Sequence, residues 1–313
     1  MERGRGRRVA VGALLAAATL LTFVAIFSVW VNRQALNTGN WVSTSDRLLQ
    51  NEEVQEQLSV YMTNELFANV DVEKELEGAL PSRLAPLAGP ATGGLHQLAP
   101  QIAERVLGSS QFQALWNEAN RAAHESLLQV LDGGGKAVST EGGEVKLKLG
   151  GMLEQVAGQL GIGGNVAEKL PAGAGELTIL RSEQLSTAQD VAKLVRKLPV
   201  VLAVLAFGLF ALAVFLARPR RREALRAVGF GFLVAGLLAL VVRGIAGGYV
   251  VDGLVRTESV RPAAEAVWSI GTSLLVTVAV SVAAFGVLLV LGAWLAGPTR
   301  PALALRREAS PYV

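Results

Sequence analysis

The amino-acid sequence predicts an α-helical integral membrane protein, with four transmembrane helices and a mostly helical exported domain that carries a small β-hairpin or sheet. Hydrophobic residues make up 51% of the 313 residues and charged residues only 18%, against about 25% charge in typical soluble domains. Charged residues are scarce in four apolar runs, while the long segment between the first two runs is polar. These observations exclude a purely soluble enzyme, a disordered chain and a disulfide-stapled module.

Each apolar run is long enough for the roughly 20 residues that cross a bilayer as a helix. The first run covers 9–31 and contains no charge. An uncleaved anchor is favoured over a cleaved signal peptide, whose apolar core is shorter and ends at a small-residue cleavage site. The other runs cover 198–217, 227–250 and 266–297. We expect the last helix to start at Arg261 and Pro262, since proline suits a first turn.

The flanking segments predict the orientation. Arginines are concentrated in the tail 1–8, the loop 218–226 and the tail 298–313, whereas the opposite short segment 243–265 balances three basic with three acidic residues. Because basic flanks stay inside, both termini are expected in the cytoplasm and residues 32–197 outside. The absence of cysteine favours a bacterial envelope. The predicted location is therefore a bacterial plasma membrane, crossed several times.

The exported segment 32–197 has a mainly helical pattern. Asn51 and Asp71 are placed to cap helices, and the segment 85–100 is expected to be a loop or two short helical turns. Val54, Leu58, Met62 and Leu66 recur at four-residue spacing, which is typical of a helix. The clearest helix runs from Ser110 to Leu131 and ends at glycines 133–135. Its predicted buried stripe is Phe112, Leu115, Trp116, Ala119, Ala123, Leu127 and Val130.

After these glycines the hydrophobic period changes to two. Val145, Leu147 and Leu149 alternate with lysines, which indicates a strand that pairs with 137–140 as a hairpin. Residues 176–180 are expected to add a third strand. Because a small sheet is marginal alone, it is expected to lie on the helices. Thr187 with Asp190 resembles a capping box that opens a helix running into the second span.

Motifs for chemistry are absent from the sequence. It contains two histidines, His96 and His124, and it has no HExxH, P-loop or GxSxG motif. No catalytic residue, metal site or cofactor is therefore predicted, and His96 is expected to be exposed. The glycine-rich run 158–164 follows no strand and is interpreted as a loop. The acidic exported segment does not suggest nucleic acid as a partner.

The best polar constellation is on the predicted helix 110–131. Asn117, Asn120 and His124 share one flank, with Arg121 close by. A functional interpretation makes them a site for a ligand or partner group. A structural interpretation, which we favour, has them bond loop carbonyls where the hairpin docks.

The spans contain no charge at mid-depth, where an ion pathway would need one. Arg243 is expected near the outer interface, as a candidate for binding lipid headgroups, with Asp252 as its ionic partner. Small residues at four-residue spacing predict close helix packing. They are Gly231, Ala235, Gly244, Gly248, Ser269, Ser273, Thr277 and Ser281. A hydroxyl-lined conduit is the alternative for the last four.

Three stretches carry a family resemblance: TGNWVSTSDRL (38–48), SSQFQALWNEANRAAHESLLQVL (109–131) and LAGPTR (295–300). They resemble a group of uncharacterised four-span integral membrane proteins of high-GC Gram-positive bacteria. The run from Leu115 to His124 is the most specific part. Since the group has no established activity, the resemblance implies architecture and envelope location only.

The sequence favours a non-enzymatic cell-envelope protein whose exported domain binds a protein partner or an envelope component, with the lipid bilayer as its other partner. A transporter or channel subunit, or a lipid-handling membrane protein, is the first alternative. An exported hydrolase using His124 is a weaker alternative. Homo-oligomerisation stays open.

Overall fold

The computed structural model of the chain describes residues 2–132, 138–139, 144–148, 176–218 and 220–296. It divides into two compact units. The first, here called the membrane unit, comprises Met1–Asn37, Asp190–Gly248 and Thr272–Val313. The second, here called the helical unit, comprises Thr38–Gln189 and Tyr249–Gly271.

The described helices follow one another along most of the chain. They are α1 (Glu2–Leu36), α2 (Thr38–Leu49), α3 (Glu52–Asn69), α4 (Val72–Ala79), a 3₁₀ turn (Ala85–Leu87), α5 (Ala88–Leu107), α6 (Ser110–Leu131), α7 (Ser182–Leu216), α8 (Arg221–Leu254), a 3₁₀ turn (Glu258–Val260), α9 (Arg261–Gly271) and α10 (Ser273–Leu295). The described strands are β1 (Val138–Ser139), β2 (Glu144–Lys148) and β3 (Glu176–Arg181).

Among the described residues, four helices are long and apolar enough to span a membrane, in agreement with the prediction of four long apolar helices. They are Gly6–Leu36, Ser186–Leu216, Arg221–Leu254 and Ser273–Leu295. Two buried clusters hold the membrane unit together. One consists of Ile26, Ala235, Ala239, Leu275 and Ala279. The other consists of Ala18, Phe210, Val228 and Phe232.

The prediction of one uninterrupted helix over 266–297 was wrong. Helix α9 does begin at Arg261, but it ends at Gly271, and α10 begins at Ser273. The two helices bury different stripes: α9 buries Ala263 and Ala264 and packs against α2 and α3, whereas α10 belongs to the membrane unit. The expected loop 251–265 is also largely helical. Composition could not reveal this break, because the apolar run continues across it.

The helical unit is built from packed helix pairs. Helix α3 packs against α5, α4 packs against α5, and α2 packs against α6. The predicted caps are confirmed: the Asn51 side chain accepts a hydrogen bond from the Val54 amide, and Asp71 accepts one from the Lys74 amide. Such caps satisfy amides that otherwise lack a partner within the helix.

The predicted helix that carries Val54, Leu58, Met62 and Leu66 is confirmed as α3. Met62 and Leu66 are exposed, whereas Ser59 and Thr63 are only 1% and 3% exposed. Ser59 satisfies its hydroxyl inside the helix by donating to the Glu56 carbonyl at 2.8 Å. The two buried residues of α3 are therefore small and polar, while Met62 and Leu66 face outward.

The expectation of a loop over 85–100 was also wrong, because most of this stretch belongs to the 20-residue helix α5. Pro90 lies in its first turn, where the missing N–H costs no hydrogen bond. Pro100 lies inside the helix and removes one bond there. Packing against α3 and α4 offsets the low helix propensity of this Pro/Gly-rich sequence.

Helix α6 has the predicted bounds, but its predicted stripe was wrong in part. Leu115, Ala119, Ala123 and Leu127 are exposed, while His124 and Val130 are buried. The helix therefore turns its polar flank inward. The reason is that α6 packs against polar side chains of α2. The periodicity of the α6 sequence does not show which of its faces α2 covers.

The described strands form an antiparallel sheet in the order β1-β2-β3. Val138 pairs with Leu147, and Lys148 pairs with Glu176, with an irregularity between Val145 and Lys146. How this sheet packs on the helices stays a prediction. The glycines 133–135, the turn 141–143, Leu149, the run 158–164 and the tail 298–313 lie outside the described residues.

Helix α7 runs without interruption through the second predicted span, as expected. It starts at Ser182, directly after β3, so Thr187 and Asp190 lie within the helix and do not open it. The predicted capping box was therefore wrong.

Candidate functional site

The predicted polar constellation lies at the interface of α2 and α6. Two of the stretches that carry the family resemblance, 38–48 and 109–131, therefore pack against each other. The structural interpretation predicted loop carbonyls as the partners of these side chains. The observed partners across this interface are side chains of α2.

His124 is at the centre of this interface and is 3% exposed. Its Nδ1 shares a hydrogen bond of 3.1 Å with the Thr38 hydroxyl. Its ring stacks on Trp41, with 5.0 Å between centroids and 24° between planes. Trp41 is therefore a packing residue that covers the imidazole.

Two further hydrogen bonds join the helices. The Trp116 indole Nε1 donates to the Ser45 hydroxyl at 2.9 Å. The Asn117 amide donates to Asp46 Oδ1 at 2.8 Å, and the Gln50 amide donates to the other oxygen of the same carboxylate at 2.9 Å. Bonds to a charged acceptor are stronger than neutral ones, so Asp46 is the strongest polar anchor described between α2 and α6.

The remaining two predicted residues contribute less to this interface. The half-buried Asn120 donates to the Trp116 carbonyl of its own helix at 2.9 Å. Arg121 is exposed. The structure thus brings Asn117 and His124 together with α2, and leaves Asn120 and Arg121 at the margin.

Sequence reasoning missed the α2 half of this site. Thr38, Trp41 and Ser45 lie three and four residues apart, so they share one face of a helix. That spacing could have identified them as a partner surface. Chemically, the arrangement holds an imidazole buried and bonded, which suits helix docking better than proton transfer to a substrate.

Arg243 and Asp252, the predicted pair, are bonded to other residues. Arg243 Nε donates to the buried Thr272 hydroxyl at 2.7 Å. Asp252 accepts from Arg261 at 2.9 Å, and Glu258 accepts from Arg261 at 2.8 Å. The hydrogen bond from Arg261 lowers the pKa of Glu258, with charge attraction adding to it. Hydrogen bonds to Glu258 and Asp252 raise the pKa of Arg261.

The predicted packing residues of the spans were wrong in part. A Cβ added at Gly244 or Gly248 would meet open space. Close packing instead involves Gly229, Gly236 and Gly286, where an added Cβ would lie within 2.9 Å of backbone atoms of the facing helix. Gly231 is also close-packed, against Thr19 and Phe210. Ala235 is fully buried.

The hydroxyl series is interrupted by the break at Thr272. Ser269, Thr277 and Ser281 are exposed, and Ser273 is half-buried. Thr277 and Ser281 donate to the carbonyls of Ser273 and Thr277, at 3.1 and 2.7 Å. Hydroxyls bonded in this way need no water, which favours an apolar setting over a conduit.

A surface groove lies between α3 and α5 in the helical unit. It has a volume of about 610 Å³. It is lined by Tyr61, Met62, Thr63, Glu65, Leu66, Asn69, Val70, Ala99, Ile102 and Ala103. Leu66 and Ile102 are 52% and 53% exposed. We call it the α3–α5 groove.

His96 is exposed on α5, as predicted, and its ring meets Phe67 edge-on at 4.6 Å. Among the described residues, no group of three or more His, Asp or Glu could hold a metal ion.

Comparison with known proteins identified no relative: the chain matches no protein-family model, no curated protein and no solved structure.

Proposed function

We propose that this chain is a non-enzymatic membrane protein of the bacterial cell envelope, whose helical unit lies outside the cytoplasm and binds another protein. The basic flanks of the spans support this orientation. The resemblance of 38–48, 109–131 and 295–300 to envelope proteins of high-GC Gram-positive bacteria supports the location. We also propose that the chain belongs to that group.

The α3–α5 groove is the observation that carries the binding role. Exposed apolar surface with a polar rim is typical of protein interaction sites. Tyr61, Met62, Leu66, Val70 and Ile102 provide the apolar lining. An amphipathic helix of the partner fits this shape best, because a groove between two helices accepts apolar side chains at i, i+3/i+4 and i+7.

The α2–α6 interface supports a structural role for His124. A hydrolase would need the imidazole within reach of a substrate, whereas Trp41 stacks on this ring. The transporter alternative depends on Thr277 and Ser281, whose hydroxyls are bonded to their own helix. The surroundings of His124 therefore do not favour a hydrolase over a binding protein, and the hydroxyls of Thr277 and Ser281 do not favour a transporter.

The test is site-specific photo-crosslinking of the full-length protein in its own host cells. A photoreactive amino acid is placed at Met62 or Ile102 in the groove, and at Leu127 on α6 as the control. Leu127 is also apolar and 40% exposed, but it does not line the groove. We expect a crosslinked product of one defined mass from both groove positions and none from Leu127.

Two further results sharpen this test. Ile102→Asp should abolish the product formed at Met62, whereas Leu127→Asp should leave it unchanged. Crosslinks of equal yield at all three positions, or none at the groove positions, would contradict a specific partner. A product of twice the chain mass would identify a second copy of this chain as the partner. The groove would then be a site of self-association and not a site for a different protein.

A further inference from the structure

A second concave site lies at one end of the membrane unit, where α1 begins and α7 connects to α8. Its volume is about 500 Å³. It is lined by Arg7, Arg8, Val11, Gly12, Leu15, Ala217, Arg218, Arg220, Glu223, Ala224 and Ala227. We call it the arginine cleft. Unlike the α3–α5 groove, it belongs to the segments that border the bilayer.

The cleft has a charged part and an apolar part. Arg7 and Arg8 lie just before the apolar run of α1, and Val11 and Leu15 follow one and two turns later on the same helix. At 1.5 Å per residue, Leu15 lies roughly 12 Å along the axis from Arg7. The lining therefore changes from guanidinium groups to aliphatic side chains along the direction that enters the bilayer.

The charged part has an excess of positive charge. Four arginines line the cleft, and Glu223 is the one acidic residue among its described lining residues. Arg220 contacts this carboxylate at 3.4 Å, with both side chains more than half exposed. Arg218 stacks over Phe215 at 4.7 Å. Stacking occupies the face of a guanidinium and leaves its N–H donors along the edge.

This combination suits one chemical class of ligand. Guanidinium groups bind phosphate through paired, charge-assisted hydrogen bonds. Basic clusters beside a span attract anionic lipid headgroups. The apolar side chains of Val11, Leu15 and Ala227 offer no hydrogen bond to a free phosphate ion. They can contact the upper part of an acyl chain.

We propose that the arginine cleft binds the phosphate group of an anionic glycerophospholipid, with its acyl chain against Val11 and Leu15. The bound lipid joins the start of α1 to the α7–α8 connection. Because the cleft and the α3–α5 groove share no residues, this assignment is independent of the proposed partner.

The test measures lipid retention by native mass spectrometry on the full-length, detergent-solubilised protein. Phosphatidylglycerol and the zwitterionic phosphatidylcholine are offered in equal amounts. The site variant is R218Q/R220Q, and the matched control is R221Q/R222Q. Both remove two arginines from the basic stretch 218–222, but Arg221 and Arg222, in the first turn of α8, do not line this cleft.

We expect wild type and control to retain one phosphatidylglycerol in preference to phosphatidylcholine. In R218Q/R220Q the retained fraction should fall roughly tenfold or more. R218K/R220K should fall less, because it keeps the charge and loses the guanidinium fork. Unchanged thermal unfolding of each variant shows that the loss is not due to misfolding.

Two results would overturn the assignment. Equal loss in both double glutamine variants would show diffuse charge attraction and no built site. Equal retention of the two lipids by wild type would show that the cleft does not select an anionic headgroup, since both lipids carry a phosphate. A separate arm adds inorganic phosphate: displacement of the lipid at equal concentration would identify a soluble phosphate as the ligand in place of the lipid.

Discussion

Two helix interfaces in this protein are built from different kinds of residue: one from glycine and alanine, the other from hydrogen-bonded polar side chains. In the membrane unit, α8 and α10 approach closely through glycine and alanine: an added Cβ at Gly236 would lie 2.5 Å from the Ala279 carbonyl. In the helical unit, α2 and α6 meet through His124, Asn117 and Asp46. Inside a bilayer, apolar side chains gain nothing by leaving lipid, so close packing of small residues drives association. Outside it, buried polar groups must find hydrogen-bond partners.

The largest expected effect tests the small-residue interface. Gly236→Leu should lower the free energy of unfolding by about 3 kcal/mol, since the facing backbone has no room for the side chain. Gly244→Ala is the control, because its Cβ would meet open space and alanine favours the helix. Thermal unfolding in detergent measures both. Equal stability of the two variants would show that the close approach of α8 and α10 is not required.

His124→Ala tests the polar interface. It removes the stack on Trp41 and leaves the Thr38 hydroxyl without this partner, so we expect a loss of about 2 kcal/mol. The exposed His96 has an edge contact with Phe67, and His96→Ala should cost about 0.5 kcal/mol. Thermal unfolding at one pH compares them. If His124→Ala keeps full stability but abolishes a cellular phenotype, a functional role replaces the structural one.

Asn117→Ala separates the bond across the interface from a bond within one helix. It should cost about 1.5 kcal/mol, because the acceptor is the charged Asp46. Asn120→Ala should be close to neutral, since the lost bond lies within α6 and alanine is the better helix former. Chemical denaturation measures the pair. A larger loss for Asn120 would contradict the assignment of Asp46 as the main polar anchor.

The smallest effect concerns an exposed cluster in the helical unit. The pKa of Glu258 is lowered by Arg261, so this contact stabilises the fold above the ordinary pKa of glutamate. The contribution is lost as pH falls through the lowered pKa. NMR titration of Glu258 should therefore show a midpoint below that of an ordinary glutamate. Arg261→Gln should return the midpoint to the ordinary range; an unchanged midpoint would show that the contact is absent in solution.

The sequence predicted the features that depend on local physics. Four apolar runs gave four helices of membrane-spanning length, and the caps at Asn51 and Asp71 formed because a side-chain oxygen can reach the amide three residues later. The bounds of α6 also followed from its pattern. Half of the polar site, Asn117 and His124, was identified because residues three and four apart share a helix flank.

The faces that these helices bury were decided by tertiary structure. Leu66 and Leu127 look like core residues in a helical pattern, yet both are exposed. The break at Thr272 and the inward position of Ser59 depend on which helix packs opposite. Periodicity says which residues share a face, but a partner from a distant part of the chain decides which face is covered. By itself the sequence determined the four long apolar helices and the bounds of α6, whereas helix α5, the break between α9 and α10 and the buried faces of α6 and α8 were decided by packing between distant segments.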